Sequence, residues 1–147
     1  MKEGVVMVAP SGAIYGSQSA VSVFNSNISL NAVRFDGAGV FMVGAMTMKL
    51  EASRIVKNFA QNSGGGIAVN NGVQLMLCNN TMVESNTASV GGGIIATGQG
   101  TFVSIMDTIL SANVPTLNQV AASSQPIAFS PHSPKPCLAA SPGRALL

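Results

Sequence analysis

The sequence has no tryptophan and few aromatic or charged residues. It has one tyrosine, six phenylalanines and one histidine in 147 residues, and charged residues make up 8% of the chain. The chain has seven Lys and Arg residues and five Asp and Glu residues, and the net charge of +2 comes from Lys135 and Arg144 near the C-terminus. Proteins that bind nucleic acid through its phosphates need clustered basic residues. The charge pattern therefore argues against a nucleic-acid partner.

Long hydrophobic runs are also missing. No apolar run approaches the roughly 20 residues that span a bilayer, so we predict no transmembrane segment in this chain. The N-terminal stretch MKEGVVMVAPSG has too short an apolar part for a secretory signal peptide. The residues alone leave the localisation unknown.

Proline is nearly absent from the first part of the chain, whereas glycine is concentrated there. Six of the seven prolines lie at or beyond Pro115, and fifteen of the sixteen glycines lie at or before Gly100. Residues 118–147 show no periodicity and little clustered apolar surface, which is typical of disordered segments. We therefore predict a repeat domain over residues 1–117 and a disordered Pro/Ser/Ala-rich tail over 118–147.

The glycines and asparagines recur at a fixed step of 27 in the numbering. Asn31 and Asn58 are one period apart, as are Asn86 and Asn113, with a slip of one position between the pairs. A fixed period of this size indicates a stacked supersecondary unit. It predicts coils at about 10–36, 37–63, 64–90 and 91–117. The glycines that keep the step are Gly12, Gly39, Gly66 and Gly93.

Short runs with alternating apolar residues fill each period. Alternation with a period of two, bounded by Gly, Asn, Ser and Thr, is typical of half-buried strands. Three strands per coil, each paired with its copy in the next coil, predict an all-β parallel β-helix. A leucine-rich repeat would need a helical or 3₁₀ return. The residues expected to point inward are Val21, Val23, Met48, Leu50, Val73, Leu75 and Leu77.

Two local features refine this prediction. In the fourth coil, Val103 and Ile105 alternate better than Phe102, which predicts a shift of one residue or a bulge in the run 101–105. We expect the repeated glycines to supply positive φ at tight corners or to let another backbone approach closely. The repeated asparagines are expected to tolerate the left-handed region and to stack as an amide ladder.

The repeat resembles a known group of proteins. Two of its elements are similar to the repeats of polymorphic outer membrane proteins and of pectin-lyase-like β-helices. The first is the glycine element, GGGI at 64 and 91 and SGAI at 11, and the second is the apolar-x-x-N run that ends at Asn31, Asn58, Asn86 and Asn113. The usual Phe before the Asn is replaced by Ile, Val or Leu. The resemblance covers residues 10–117, and it implies a right-handed solenoid that is secreted or on the cell surface.

An enzymatic role would need suitably placed acids and bases. Asp36, Asp107, Glu51 and Glu84 are predicted in different columns or coils, and His132 lies in the tail. We therefore predict no enzymatic activity, no catalytic residue, no cofactor and no metal site. The expected function is a non-catalytic structural or adhesive module, a fragment of a larger surface or secreted protein. The alternative is a fragment of a carbohydrate-active β-helix, a polysaccharide lyase or glycoside hydrolase type, that lacks its catalytic coils.

One apolar stripe is the candidate interaction site. With a constant step of 27, Ala13 and Tyr15 of the first coil and their equivalents in the next three coils would point inward. The apolar residue between the two members of each pair would then point outward and form a stripe along the solenoid. Another part of the parent protein, a protein partner or a surface glycan would cover this stripe. Asn27 and Asn79 match the glycosylation pattern but carry no assignment. The stripe consists of Ile14, Phe41, Ala68 and Ile95.

Overall fold

A computed structural model describes residues 12–114, which form a parallel β-solenoid of about four coils. No helix occurs in this range. The predicted all-β parallel fold, with a step of about 27 between coils, is confirmed. The predicted tail at 118–147 and the outermost residues of the first and last predicted coils lie outside the described residues.

The first two coils each contain four short strands. Coil 1 contains β1 (Ile14–Ser17), β2 (Val21–Phe24), β3 (Asn27–Ser29) and β4 (Ala32–Val33). Coil 2 contains β5 (Val40–Val43), β6 (Thr47–Glu51), β7 (Arg54–Val56) and β8 (Phe59–Ala60).

The described parts of the last two coils contain three strands each. Coil 3 contains β9 (Ile67–Asn70), β10 (Gln74–Cys78) and β11 (Thr81–Glu84). Coil 4 contains β12 (Ile94–Thr97), β13 (Phe102–Ile105) and β14 (Thr108–Ser111).

Equivalent strands of successive coils pair in parallel. The first sheet has the order β1-β5-β9-β12, the second β2-β6-β10-β13 and the third β3-β7-β11-β14, while β4 pairs with β8. Neighbouring strands in such sheets lie about 4.8 Å apart. Each side chain therefore stacks on its counterpart in the next coil, and the repeat becomes a set of columns along the rod.

The inward columns of the three large sheets form one continuous apolar core, and a small separate cluster consists of Val33, Ala38, Ala60 and Ala88. Leu75 and Leu77 are fully buried, and Val73 is buried just before β10. Of the seven side chains predicted to point inward, six are buried and Val21 is half-buried against the same core. The alternation of the second sheet therefore predicts its interior correctly.

The step between coils is not constant. Leu75 pairs with Val103, a step of 28, and Val103 is 1% exposed whereas Phe102 is 36% exposed. The predicted shift in the fourth coil is confirmed. In the third sheet Ile55 pairs with Val83, also a step of 28. The inward column is therefore Ile28, Ile55, Val83 and Leu110. A constant step of 27 from Ile28 would instead lead through Ile55 to Met82 and Ile109.

Candidate functional site

An aromatic pair lies on the outer face of the first sheet. Tyr15 of β1 is in register with Phe41 of β5. Their ring centroids are 5.8 Å apart, with the ring planes tilted by 32°. Tyr15 is 55% exposed and Phe41 is half-buried. Because an aromatic pair at this distance is an attractive contact in its own right, the two rings form a defined apolar surface.

Ile14 does not belong to the outward stripe. It pairs with Val40, a step of 26, and packs against the core. Tyr15 takes the outward position that the constant step of 27 assigned to Ile14, and the prediction that Ala13 and Tyr15 point inward is wrong. A slip of one residue exchanges the two faces of a strand, since side chains alternate with a period of two.

The accessible part of the stripe is shorter than predicted. Phe41 is in register with Ala68, and Ala68 with Ile95, so the column runs along all four coils. Ala68 is only 3% exposed and Ile95 is 9% exposed. The surface that a partner can reach is therefore Tyr15 and Phe41.

The neighbouring outward column of the first sheet consists of small, uncharged side chains. Ser17 is in register with Val43, and the column continues through Asn70 and Thr97. Ser17 is exposed, and the other three are half-buried. The outer face of the first sheet therefore combines one aromatic pair with hydroxyl and amide groups and carries no charge in either column.

The glycines of the repeated clusters have two structural roles, positive φ at some positions and close contact between coils at others. Positive φ occurs at Gly37, Gly64 and Gly91, with values of 65°, 62° and 57°. The predicted corner glycines Gly12, Gly39, Gly66 and Gly93 do not have positive φ, so that part of the prediction is wrong.

Close contact between coils explains glycine at three of these positions, Gly12, Gly39 and Gly66. A Cβ on Gly66 would lie 2.5 Å from the carbonyl oxygen of Gly93. A Cβ on Gly39 would lie equally close to the carbonyl oxygen of Gly66, and one on Gly12 would clash with the backbone of Gly37. Contacts this short at a Cβ force the backbone to move, so these glycines allow the coils to stack closely.

The four repeated asparagines form a buried amide ladder. The Oδ1 of Asn58 accepts hydrogen bonds from Nδ2 of Asn31 at 2.8 Å and from its backbone N at 3.1 Å. Asn86 accepts the same two bonds from Asn58, at 2.9 and 3.0 Å, and Asn113 accepts them from Asn86, both at 3.0 Å. Each rung thus satisfies buried polar groups of two coils.

The asparagines themselves do not adopt the left-handed conformation. The residue before each ladder asparagine does so, and the expectation that these four asparagines use the left-handed region is wrong, although Asn25, Asn71, Asn79 and Asn80 adopt it elsewhere. This geometry turns the chain so that the amide points into the solenoid. The residues with positive φ are Leu30 (61°), Lys57 (55°), Ser85 (55°) and Ala112 (51°).

Two of the described carboxylates, those of Glu51 and Asp36, accept hydrogen bonds from neighbouring coils or strand residues. Glu51 accepts from Lys49, with Nζ and Oε2 2.7 Å apart, and from the Asn79 amide at 2.5 Å. The hydrogen bond from Lys49 lowers the pKa of Glu51 below its usual value, and burial opposes this effect only in part. Asp36 accepts from the backbone N and the hydroxyl of Ser63. Residues 12–114 contain no group of three His, Cys, Asp or Glu that could hold a metal ion.

The two glycosylation patterns lie in different environments. Asn27 is exposed, whereas the Asn79 amide is hydrogen-bonded to Glu51. The hydroxyl of Thr81, the third residue of the second pattern, is buried and donates to the carbonyl oxygen of Cys78 at 2.7 Å. In the folded chain, Asn27 is therefore the more accessible of the two.

Comparison with known proteins gives no relative. A scan against protein-family models found no match, and searches of curated proteins and of solved structures found no similar chain. Within residues 12–114, no helix is long and apolar enough to cross a membrane.

Proposed function

We propose that this chain is a non-catalytic structural or adhesive module, with the outer face of its first sheet as the contact surface. The observation that carries the proposal is the outward Tyr15–Phe41 pair. An outward, partly exposed aromatic pair on a rigid sheet is typical of interaction surfaces, because it offers apolar area at a low entropic cost.

The chemistry around the pair favours a neutral glycan as the contact. Sugar rings present C–H faces, which pack against aromatic rings, and hydroxyl groups, which need hydrogen-bond partners. Ser17 and Asn70 offer such partners in the adjacent column, and neither column carries a charge that would select an ionic ligand.

We further propose a relationship to the right-handed, pectin-lyase-like β-helices and to the repeats of polymorphic outer membrane proteins. The GGGI elements, the asparagine at the end of each apolar run and the coil spacing support it. A secreted or cell-surface location forms part of the same proposal. The hydrogen bonds that hold Asp36 and Glu51 support structural roles for these carboxylates, so no observation favours the enzymatic alternative.

The chain carries its own reporter for this test. Tyr15 is the only tyrosine and there is no tryptophan, so intrinsic fluorescence reports on the proposed contact surface alone. Titration of the full chain with dextran, xylan or galactomannan should give a saturable change in emission with at least one of them.

Two variants decide whether the change arises at the pair. Phe41→Ser should abolish the response with little loss of stability, because Phe41 is only half-buried, whereas Phe24→Ser on another face should leave it intact. The proposed glycan contact is wrong if none of the three polysaccharides changes the emission, or if Phe41→Ser responds like the wild type. Ile95→Ser does not suit this test, because Ile95 is 9% exposed and its loss would destabilise the coil.

A further inference from the structure

Cys78, the last residue of β10, takes part in a disulfide bond. It is the only cysteine in residues 12–114. The whole chain contains one other cysteine, Cys137, which lies outside the described residues. The partner of Cys78 is therefore either Cys137 of the same chain or a cysteine of another molecule.

Cys78 belongs to an outward column of the second sheet. It is in register with Glu51, and Glu51 is in register with Phe24. Phe24 is 65% exposed and Glu51 is half-buried beside Lys49, whereas Cys78 is 1% exposed. A bond made from this column leads away from the apolar core. It can therefore attach a segment to the outside of the solenoid without displacing an inward side chain.

The chain is long enough to bring Cys137 to this position. Val114, the last described residue, forms a β-bridge with Thr87 of the adjacent coil. Thr87 is nine positions from Cys78 in the sequence, so Val114 and Cys78 lie within about 40 Å of each other. The 23 positions from Val114 to Cys137 can span about 75 Å when extended. Reach therefore does not prevent a bond within the chain.

The position of Cys78 also favours a bond within the chain over one between copies. A disulfide holds the Cα atoms of its two cysteines about 4.4–6.8 Å apart. A bond between the Cys78 residues of two copies would bring the outer faces of both second sheets to this distance, where Phe24 and Glu51 of both copies also lie. A segment of the same chain has to approach Cys78 alone, and its covalent connection makes the encounter intramolecular.

We propose that Cys78 and Cys137 of the same chain form a disulfide that ties the C-terminal segment to the outer face of the second sheet. The two thiols lose two protons and two electrons when the bond forms. A disulfide such as glutathione disulfide takes up both and leaves as two thiols. Structural disulfides persist in oxidising compartments, which is the condition that the proposed secreted or cell-surface location provides.

The bond would restrain the last described coil. The loop that it closes starts in coil 3, contains β11 and all three strands of coil 4, and returns to coil 3. Because a cross-link limits the conformations of the unfolded chain, it stabilises the folded state, and longer loops give the larger effect. The disulfide is therefore expected to oppose the separation of coil 4 from coil 3.

Peptide mapping of the full chain tests the pairing, after folding in a buffer of reduced and oxidised glutathione. Between the two cysteines the only basic residue is Lys135, which precedes a proline, so trypsin leaves both cysteines in one peptide. A protease specific for glutamate cleaves after Glu84 and separates them. Fragments 52–84 and 85–147 should form one linked species that reductant divides in two, and the chain should be a monomer on a non-reducing gel.

Two other results of the mapping would overturn the proposal. In the first, both cysteines remain as thiols or carry glutathione after folding. In the second, the non-reducing gel shows a dimer that reductant converts to the monomer, which would place the bond between copies.

Thermal unfolding tests the restraint of coil 4. Because the closed loop has about 60 residues, reduction should lower the thermal midpoint by about 5 °C or more. Cys137→Ser should show the same lowered midpoint and no response to reductant. It is a cleaner variant than a change at Cys78, which is buried and would also alter the packing. The matched control Ser133→Ala keeps both cysteines and should behave like the wild type.

The reduced wild type provides a second measurement if Cys137→Ser fails to fold. Equal thermal midpoints for the oxidised and reduced wild type would show that the bond does not restrain the solenoid, and this part of the proposal would be wrong. Phe41→Ser should retain the disulfide, because Phe41 lies in the first sheet. The tests of the disulfide and of the glycan contact can therefore fail independently.

Discussion

Replacing Asn86 by alanine is expected to lower the free energy of unfolding by about 3–5 kcal/mol. Asn86 is fully buried and takes part in both neighbouring rungs of the amide ladder. Its Oδ1 accepts from the backbone N and Nδ2 of Asn58, and its Nδ2 donates to the Ile55 carbonyl at 2.8 Å and to Asn113. The variant removes all four bonds.

The magnitude follows from what the variant leaves behind. The backbone N–H of Asn58 is buried and loses its acceptor, which costs about 1–3 kcal/mol. Nδ2 of Asn58 keeps its bond to the carbonyl of Ile28 at 3.0 Å, and Oδ1 of Asn113 keeps the Asn86 backbone N–H, so these groups are only partly deprived. The remaining lost bonds and the missing amide volume add about 2 kcal/mol.

Asn31→Ala is the matched control at the end of the ladder. Its side chain donates to Asn58 and to the carbonyl of Ser29 at 3.2 Å, and no described amide donates to its Oδ1. After substitution, Oδ1 of Asn58 still receives the backbone N–H of residue 31 at 3.1 Å. Because no buried donor loses its acceptor, we expect a loss of only about 1 kcal/mol.

Urea denaturation followed by circular dichroism measures both variants. Tyr15 fluorescence reports on coil 1 in the same samples, and coincident transitions by the two probes would justify a two-state analysis. Equal losses for the two variants, or a loss below about 1 kcal/mol for Asn86→Ala, would refute the directional ladder as an energetic unit.

Three further outcomes are expected. Leu75→Ala, which removes a fully buried side chain, should cost about 2–4 kcal/mol in urea denaturation, and a surface-like loss below about 0.5 kcal/mol would contradict the core assignment. Gly66→Ala should cost more than the few tenths of a kcal/mol of a neutral surface change, because its Cβ would lie 2.5 Å from the carbonyl oxygen of Gly93; an unchanged midpoint would rule out close coil contact as the cause. The hydrogen bond from Lys49 lowers the pKa of Glu51 in the folded state. The ion pair therefore stabilises the fold above the unfolded pKa of about 4.3, and this contribution is lost as the pH falls through the folded pKa. Thermal midpoints of wild type and Glu51→Gln should therefore converge in acid, and a difference that does not depend on pH would contradict this reasoning.

Much of the fold could be predicted because the repeat is periodic. In the second sheet, the pairs Val21/Val23 and Met48/Leu50 keep both the step of 27 and the alternation, and both signals agree with the observed register. The candidate site was predicted only in part. Phe41 does face outward, but Tyr15 was missed, since a step of 26 between the first two coils leaves no local signal other than the aromatic residues themselves.

The sequence by itself determined the architecture, since alternation sets strand faces and the repeat sets the stacking of coils. The tertiary structure alone decided the step at each turn, which is 26 between Ile14 and Val40 and 28 between Leu75 and Val103. It also decided that the residue before each of the four ladder asparagines, rather than the asparagine itself, adopts positive φ. The physical reason is that turns tolerate an added or missing residue at little cost, whereas a slip of one residue in a strand exchanges its buried and exposed faces.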